Sequence, residues 1–345
     1  MHLAWLGPKG RTKPFLPLLF LTLTLPYRYS SLPLLFLSTV AMKVAVAQVG
    51  TPASWKPEDA ITKLREYAKD AAEQGVEHIV FPEAYIGGYP KGSTFGAYVG
   101  NRTPEGRKEF TRYFNGAITV PGRYVDQLAE ISSKHGMFMV VGVIEREEHG
   151  GTLYCTAVFI HPDRGYVGKH RKRLIWGCGD GSTLPVIETQ TGVRTSATIC
   201  WENYMPLLRA HYYSKGVQLY CAPTVDDRGV WASTMTHIAL EGRCFVLSAC
   251  QFTQQSHYPE DHPFIEKDPQ AIVIAGGSMI IGPMGNVLAG PLRETEGLLV
   301  ADIDLDDISG GKFDMDVSGH YSRSDVFGLM VDEREQTFRA AGHGV

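Results

Sequence analysis

Three side chains in the sequence have the types and positions that suit nucleophilic catalysis. Cys200 follows the apolar stretch 194–199, so a thiol lies where a buried strand should stop and a helix should begin. Glu83 follows the apolar run 78–81, and Lys172 ends another such run. Open α/β sheets expose reactive groups at the carboxyl ends of strands, where a sharp turn aims backbone N–H groups at a nucleophile. The three residues are therefore candidates for one site.

The types of these three residues suit attack by sulfur on an electrophilic carbon bonded to nitrogen. A free thiol has a pKa of about 8.5 and is a poor nucleophile at neutral pH unless a cation or a base assists it. Glu83 can act as the general base that takes the thiol proton and later activates water. Lys172 can stabilise negative charge that develops on the attacked group.

Each of these residues also has an ordinary structural interpretation. Cysteine is among the most buried residue types, and a cysteine at a strand end is usually part of a core. Charged and amide groups directly behind Cys200, in Trp201-Glu202-Asn203, suit the wall of a site better than a core. Glu83 precedes the stretch 84–90, which is too apolar and aromatic for a solvated loop. The functional interpretation is therefore favoured for Cys200 and Glu83, whereas Lys172, within the basic cluster 169–173, would ordinarily be solvated or part of a polyanion patch.

Strands that alternate with helical stretches must position these residues. Apolar runs rich in β-branched residues predict strands, and apolar residues at helical spacing predict amphipathic helices. The predicted strands cover 44–49, 78–81, 137–144, 153–160, 194–199, 217–223, 245–249, 278–281, 287–288 and 298–303. Three helices are predicted. The first starts at Pro57 and is ended by Gly75, the second starts at Tyr124 and is ended by Gly136, and the third covers 231–242. This alternation predicts an α/β fold.

Composition and charge exclude several classes of protein. The chain has 345 residues, a formal net charge of −4 and 44% hydrophobic residues, which is an ordinary globular balance. One basic cluster, 169–173, has no second basic run or interleaved aromatic residues, so we expect no nucleic-acid partner. The six cysteines form no C-x-x-C pair and show no ligand spacing with histidine, which argues against a disulfide scaffold or a metal site. A reducing, cytoplasmic location is expected.

The first 41 residues differ from the rest of the chain. They combine basic residues with two apolar runs, which is typical of a targeting segment, but prolines keep these runs below the length that spans a membrane. We therefore expect no membrane partner. Residues 1–41 are interpreted as an upstream gene-model extension before Met42, with a cleaved targeting segment as the alternative. Residues 42–305 are expected to form one catalytic domain, and 306–345 an extended or peripheral C-terminal tail that takes part in oligomer contacts.

Three blocks of the sequence resemble the nitrilases of the carbon–nitrogen hydrolase superfamily. Phe-Pro-Glu-Ala at 81–84 resembles the glutamate motif of that family, and His-Arg-Lys at 170–172 resembles its lysine motif. Cys-Trp-Glu-Asn at 200–203 resembles the cysteine motif, in which the tryptophan favours the nitrilase branch over amidases. Gly-Asp-Gly-Ser at 179–182 and the segment 237–243 resemble further nitrilase blocks, so the similarity runs from Met42 to about Ile303.

The resemblance implies a fold, an activity and roles for particular residues. The fold is a four-layer α-β-β-α sandwich, often assembled into homo-oligomers as dimers that extend into spirals, and no metal or organic cofactor is implied. Glu83 is the base, Lys172 the catalytic lysine and Cys200 the nucleophile. Tyr89, Trp201 and Glu202 are expected to contribute to substrate binding. The expected substrate is a small organic nitrile.

The sequence departs from the family pattern after Lys172. Nitrilases usually carry a short insert there with a second active-site glutamate, whereas here Lys172 is followed at once by Arg-Leu-Ile-Trp-Gly at 173–177. A lost exon edge or a sequencing gap would explain this difference, as would a real deletion. A real deletion should shift the loop that carries Lys172, and a displacement of about 1 Å can cost on the order of a hundredfold in rate.

The sequence therefore predicts a nitrilase that converts a nitrile to a carboxylic acid and ammonia through a covalent cysteine intermediate. An amidase, a carbamoyl hydrolase or a cyanide hydratase that uses the same three residues is the alternative among enzymes. A catalytically impaired assembly or binding protein is the alternative from another class, and it is motivated by the missing insert.

Overall fold

A computed structural model describes residues 41–172, 178–260, 262–263 and 268–335. The extension 1–40, the segment 173–177 that follows Lys172 and the last ten residues lie outside the described residues.

Fifteen strands and six α-helices are present in these ranges. The strands are β1 Ala41–Gln48, β2 His78–Val80, β3 Ala97–Tyr98, β4 Asn101–Arg102, β5 Phe138–Arg146, β6 Leu153–His161, β7 Gly165–Arg171, β8 Ile187–Glu188, β9 Arg194–Ala197, β10 Leu219–Cys221, β11 Phe245–Ser248, β12 Phe252–Gln254, β13 Ile272–Ile281, β14 Val287–Arg293 and β15 Gly297–Asp304. The helices are α1 Pro57–Glu73, α2 Pro104–Gly116, α3 Arg123–His135, α4 Pro206–Ser214, α5 Val230–Gly242 and α6 Asp306–Asp314.

The helices α1 and α3 follow from local sequence signals. Pro57 occupies the first turn of α1, where its missing N–H costs no hydrogen bond, and Ile61 and Leu64 fall on one buried face. Gly136 ends α3 with φ 63°, a left-handed conformation that glycine adopts without steric penalty. Both helix ends lie within two residues of the predicted glycine stops.

The strands form two main sheets. The first has the order β15-β1-β2-β5-β6-β7, in which β1, β2 and β5 are parallel and the other pairs are antiparallel. The second has the order β12-β13-β11-β10-β9-β8, with parallel β9, β10 and β11, and β14 pairs with β13 as the predicted hairpin. Each sheet thus has a parallel centre whose carboxyl ends can carry functional loops.

Side-chain alternation along β1 shows why the layers stack as they do. Val44 and Val46 point into the core between the two sheets, while Ala45 and Ala47 point to the helices α1 and α3. The inter-sheet core continues with residues of the second sheet such as Leu219. The outer face of that sheet packs against α4 and α5 in a third cluster. Because both faces of each sheet are covered, the fold is the expected four-layer α-β-β-α sandwich.

Several parts of the fold differ from the sequence prediction, among them the short strands β3, β4, β8 and β12, which were not predicted. The helix α2 and the strand β7 were not predicted, since α2 buries only Gly106 and Tyr113 and β7 is half-exposed over most of its length. The C-terminal tail is not extended from its start, because α6 buries Ile308 and Gly311. None of the helices in the described ranges is long and apolar enough to cross a membrane.

Candidate active site

The turn that carries Cys200 is strained and tightly held. Cys200 follows β9, opens a short 3₁₀ helix over Cys200–Tyr204 and has φ 51°, which is uncommon for a residue with a side chain. Its backbone N–H donates to the carbonyl of Pro223 at 2.9 Å, and the side-chain amide of Asn203 donates to the carbonyls of Thr198 and Cys200. Such strain is stored where the surrounding structure fixes the backbone, as at functional sites.

Glu202 holds this turn from behind and does not lie in a substrate cavity. Its side chain is fully buried, and Oε2 accepts the backbone N–H of Ile199 at 3.1 Å. The same oxygen lies 2.8 Å from Nε2 of His170, whose other ring nitrogen contacts the carbonyl of Thr183. Glu202 was expected to contribute to substrate binding, and the structure corrects this expectation because its side chain is buried behind the turn. A carboxylate placed two residues after Cys200 caps the turn and faces the protein interior.

Glu83 is fixed by its backbone as well as by its side chain. It follows β2, and its carbonyl accepts the side-chain amide of Gln251 at 2.7 Å. The segment at Pro82 and Glu83 runs so close to β5 that a Cβ at Gly142 would lie 2.0 Å from the carbonyl oxygen of Pro82. Glycine at 142 therefore permits the approach that places Glu83 at its position.

Lys172 lies directly against Glu83. Its Nζ is 2.5 Å from Oε1 of Glu83, and the two side chains are only 4% and 1% exposed. The backbone N–H of Lys172, just beyond β7, donates to the carbonyl of Cys155 on β6 at 2.8 Å. The shift of Lys172 that the missing insert led us to expect does not separate it from Glu83.

The charges of this ion pair act on Cys200. Burial, followed by the negative charge of Glu83, raises the pKa of the Cys200 thiol to about 12, while Lys172 acts in the opposite direction. The Thr224 hydroxyl and the backbone N–H of Val225 hydrogen-bond to the sulfur and also favour the thiolate. Burial is the largest single influence and opposes the charged form of Lys172. The charge of Glu83, the neighbouring thiols of Cys155 and Cys200 and the hydrogen bond to Glu83 together outweigh burial, so the pKa of Lys172 is raised above its ordinary value. The structure thus brings Glu83, Lys172 and Cys200 together.

A cavity of about 610 Å³ opens onto the thiol and the ammonium. Its lining residues are Tyr89, Lys91, Lys172, Cys200, Trp201, Val225, Asp226, Asp227 and Arg228. Tyr89 and Trp201, which the sequence suggested for substrate contacts, both belong to this wall. A cavity of this volume is within the range of small-molecule sites.

The sequence analysis did not identify the segment 224–228 as part of the site. It follows β10 at the same edge of the sheet as the Cys200 turn, so the rule that located Cys200 could have found it. Within it, Asp226 accepts the indole N–H of Trp201 at 2.9 Å and pairs with the Arg228 guanidinium through both carboxylate oxygens. Arg228 also lies over the Trp201 ring, 5.1 Å from its centroid.

The described residues hold no group of three or more histidine, cysteine, aspartate or glutamate side chains that could bind a metal ion.

Comparisons with known proteins agree with this geometry. Residues 43–312 match the carbon–nitrogen hydrolase family model. The chain therefore belongs to the carbon–nitrogen hydrolase family. It is 54% identical to an arylacetonitrilase of Trametes versicolor, over 86% of this chain and 98% of that protein. It is 51% identical to an aliphatic nitrilase of Sinorhizobium fredii, over 86% and 97% of the two chains. Within the family the chain is thus a nitrilase-type hydrolase of carbon–nitrogen bonds, as the sequence predicted.

Solved structures of this superfamily share the fold. The Saccharomyces cerevisiae Nit3 protein superposes with a TM-score of 0.61 at 18% identity, and covers 81% of this chain and 96% of its own. The C. elegans NitFhit protein gives a TM-score of 0.64 at 19% identity, over 86% and 69% of the two chains. The four-layer sandwich is confirmed.

Proposed function

We propose that this nitrilase hydrolyses a small organic nitrile to the carboxylic acid and ammonia, with Cys200 as nucleophile, Glu83 as general base and Lys172 as the cation that stabilises developing charge. The observation that carries the proposal is the buried ion pair of Lys172 with Glu83 beside a thiol at the floor of one cavity. The same ion pair argues against the impaired-protein alternative, since the lysine remains beside the base despite the missing insert.

The first half of the reaction starts from a neutral thiol. With a pKa of about 12, Cys200 is protonated at neutral pH, so its proton must be taken as the sulfur attacks. Glu83 accepts this proton, the C–S bond forms, and one π pair of the nitrile moves to nitrogen, which takes a proton from Lys172. Protonated Glu83 then returns a proton to Lys172, so that both groups are restored. Lys172 lies at the cavity wall, where its charge can stabilise the nitrogen as negative charge develops. The product of this half is a thioimidate.

The second half consumes two water molecules. The first water adds to the thioimidate carbon, and the C–N bond then breaks. Ammonia departs, and a thioester with Cys200 remains. The second water, deprotonated by Glu83, attacks the thioester, and the C–S bond breaks to release the acid and the thiol. Splitting one difficult hydrolysis into two easier steps is the general advantage of covalent catalysis.

The walls of the cavity favour an uncharged substrate with a ring. Tyr89 and Trp201 offer aromatic surface. The charges at the rim are already paired, because Lys91 lies 3.8 Å from Asp227 and Arg228 pairs with Asp226 at 2.5 Å. An arylacetonitrile fits this description, and the 54% identity to an arylacetonitrilase supports it.

The test compares two single-cysteine variants. Cys200→Ala should abolish ammonia release from phenylacetonitrile, whereas Cys244→Ala, which removes a buried thiol outside the cavity, should leave it close to that of the wild type. Turnover that persists without the Cys200 thiol would reject the mechanism. Absence of ammonia from the wild-type protein on both aryl and aliphatic nitriles would favour the impaired-protein alternative.

A second candidate activity is release of the amide or hydrolysis of an amide. Tobacco has a relative named as a bifunctional nitrilase and nitrile hydratase, 50% identical over 85% of this chain and 87% of that protein. The tetrahedral intermediate yields an amide if sulfur leaves before ammonia. Parallel assays on a nitrile and its matching amide, with both acid and amide quantified, distinguish these activities.

We also infer that the chain forms homo-oligomers in which the C-terminal segment 306–345 takes part. Exposed apolar side chains support this inference, namely Leu207 and Val230 on or beside the outer helices and Val326, Phe327 and Met330 in the tail. Light scattering on the purified chain tests it, and a monomer at micromolar concentration would contradict it.

A cytoplasmic location is proposed on the state of the cysteines. All six lie in the described residues and are free thiols, which suits a reducing compartment. Fractionation of cells with an antibody to the chain tests this proposal.

A further inference from the structure

The two oxygens of the Glu83 carboxylate have unlike surroundings. Oε1 lies 2.5 Å from Nζ of Lys172 and 3.5 Å from the sulfur of Cys155. Oε2 is buried and has no hydrogen-bond partner within the described part of the chain. An ionised carboxylate offers about four acceptor positions, so Oε1 can hold both donors while Oε2 keeps its lone pairs free.

Cys155 contacts both charged members of the site. Cys155 lies on β6. The next residue of that strand, Thr156, pairs with Arg171 of β7, so Cys155 lies opposite Lys172, which follows Arg171 in the chain. Its carbonyl accepts the backbone N–H of Lys172 at 2.8 Å, and its thiol reaches Glu83. One residue thus holds the lysine by its backbone and the base by its side chain.

The Cys155 thiol is a donor in this contact. Burial, followed by the charge of Glu83, raises the pKa of Cys155 well above its ordinary value, so it carries its proton at neutral pH. Cys155 is 3% exposed and does not line the cavity that holds Cys200. It is therefore placed to orient the carboxylate and not to attack a substrate.

We propose that Cys155 is a positioning residue for the general base, whose thiol, together with Lys172, fixes Oε1 of Glu83 and leaves Oε2 as the oxygen that exchanges protons with Cys200 and water. The inference rests on the proposed function, in which Glu83 is the base. A single donor to Oε1 leaves the carboxylate able to rotate about its terminal bond, because that torsion is broad. The second donor restricts this rotation.

The experiment compares three variants of the full chain. Cys155→Ala removes the donor, and Cys155→Ser restores one as a hydroxyl. Cys221→Ala is the matched control, because Cys221 is also fully buried on a strand and its sulfur lies 3.5 Å from a side-chain oxygen, that of Thr195. The measurements are kcat and KM for ammonia release from phenylacetonitrile, and the rate at which iodoacetamide alkylates Cys200, read by peptide mass spectrometry.

A misplaced base should slow each proton transfer without weakening substrate binding. Cys155→Ala is expected to lower kcat and the alkylation rate of Cys200 by about tenfold, with KM within about twofold, since small displacements of a catalytic group cost rate. Cys155→Ser should recover both rates to within about threefold, because a hydroxyl can donate to the same oxygen. Cys221→Ala should match the wild type in both.

Other results overturn the inference. An unchanged kcat in Cys155→Ala, a serine variant no better than the alanine variant, an effect on KM alone, or an equal loss in Cys221→Ala would each assign Cys155 to ordinary packing. If the wild type releases no ammonia from nitriles, the proposed function fails. The alkylation rates of the same variants then still decide whether Cys155 positions the base.

Discussion

Two buried carboxylates, Glu83 in the loop after β2 and Glu145 on the neighbouring strand β5, differ in how their oxygens are paired. Each is 1% exposed, and each is paired with a cation from the segment 169–172. Glu145 accepts Lys169 at 2.6 Å and Arg171 at 2.7 Å on one oxygen, and Arg171 and Thr156 on the other. Within the described residues, Glu83 receives its donors on Oε1 alone.

The difference lies in how fully each carboxylate is satisfied. A buried carboxylate whose two oxygens are both occupied is held as a structural ion pair, because any proton it took would break existing hydrogen bonds. Among the residues that the structure describes, one oxygen of Glu83 has no hydrogen-bond donor, and it lies beside a lysine that lines the cavity. We therefore infer that the reactivity of Glu83 depends on incomplete pairing next to a cavity as well as on the ion pair with Lys172.

The largest effect is expected from Glu83→Gln. The amide keeps the shape but cannot accept a proton, so kcat/KM for nitrile hydrolysis should fall by about a thousandfold, within the range of general-base contributions. Steady-state ammonia release measures this loss. A variant within tenfold of the wild type would remove Glu83 from the role of base.

Glu145→Gln should give the reverse pattern. Removing one partner of a buried ion pair leaves cations without compensation, and we expect a loss of about 3 kcal/mol in the free energy of unfolding. The kcat of the folded variant should stay within threefold of the wild type, which corresponds to a change of at most ~0.6 kcal/mol in the activation barrier. Urea unfolding together with activity measures both, and a collapse of kcat in a stable variant would contradict the comparison.

A smaller effect is expected from loosening the cavity wall with Asp226→Ala. This change removes the acceptor of the Trp201 indole and the partner of Arg228. KM for an aryl nitrile should rise by about tenfold with little change in kcat, since uniform binding is lost.

Asp325→Ala is the matched control for this prediction. Asp325 pairs with Arg323 through the same two-oxygen geometry, but on the surface of the tail. Exposed pairs contribute little, so KM should not change. Equal KM values for the two variants would mean that the Asp226 network does not shape the cavity.

The smallest effect concerns His78, a buried ionisable group away from the cavity lining. It is fully buried on β2, where it stacks on Phe138 and its Nε2 lies 3.2 Å from the Thr195 hydroxyl. Burial lowers the pKa of His78 from 6.5 to about 3. The folded state therefore keeps His78 neutral, and its contribution to stability is complete above pH 6.5 and is lost as the pH falls from 6.5 towards 3.

Replacement of His78 by Asn should remove that part of the acid sensitivity. Between pH 7 and pH 6 the wild type should lose roughly 0.7 kcal/mol more unfolding free energy than the variant, by linkage with an unfolded pKa of about 6.5. Urea unfolding at the two pH values checks this. Parallel pH dependences in the two proteins would show that the histidine is protonated equally in both states.

Local signals in the sequence were sufficient for much of the fold and for the three central residues. The apolar runs predicted β1, β5, β6 and β15 to within a few residues, and the glycine after α3 predicted its end. Glu83 and Cys200 were found because each follows a buried strand, and chain direction alone places such residues at a sheet edge. The helix α2 was not predicted because it buries too little apolar surface to produce a recognisable pattern in the sequence.

The functions of neighbouring polar residues could not be read in the same way. Glu202 has the composition of a site residue and lies two positions from Cys200, yet its partner His170 is 32 positions away. Cys155 carried no signal at all, because its contact with Glu83 joins residues 72 positions apart.

The resemblance to nitrilases implied the order of the layers. The sequence by itself determined most of the long strands, the helices α1, α3 and α5, and the three residue types of the site. These depend on periodicity and on the residues next to each strand end, which are local properties. Only the tertiary structure decided which oxygen of Glu83 is occupied, that Glu202 faces inward, and that the segment 224–228 completes the cavity. Those outcomes depend on distances between strands that are remote in the chain, and no local pattern encodes them.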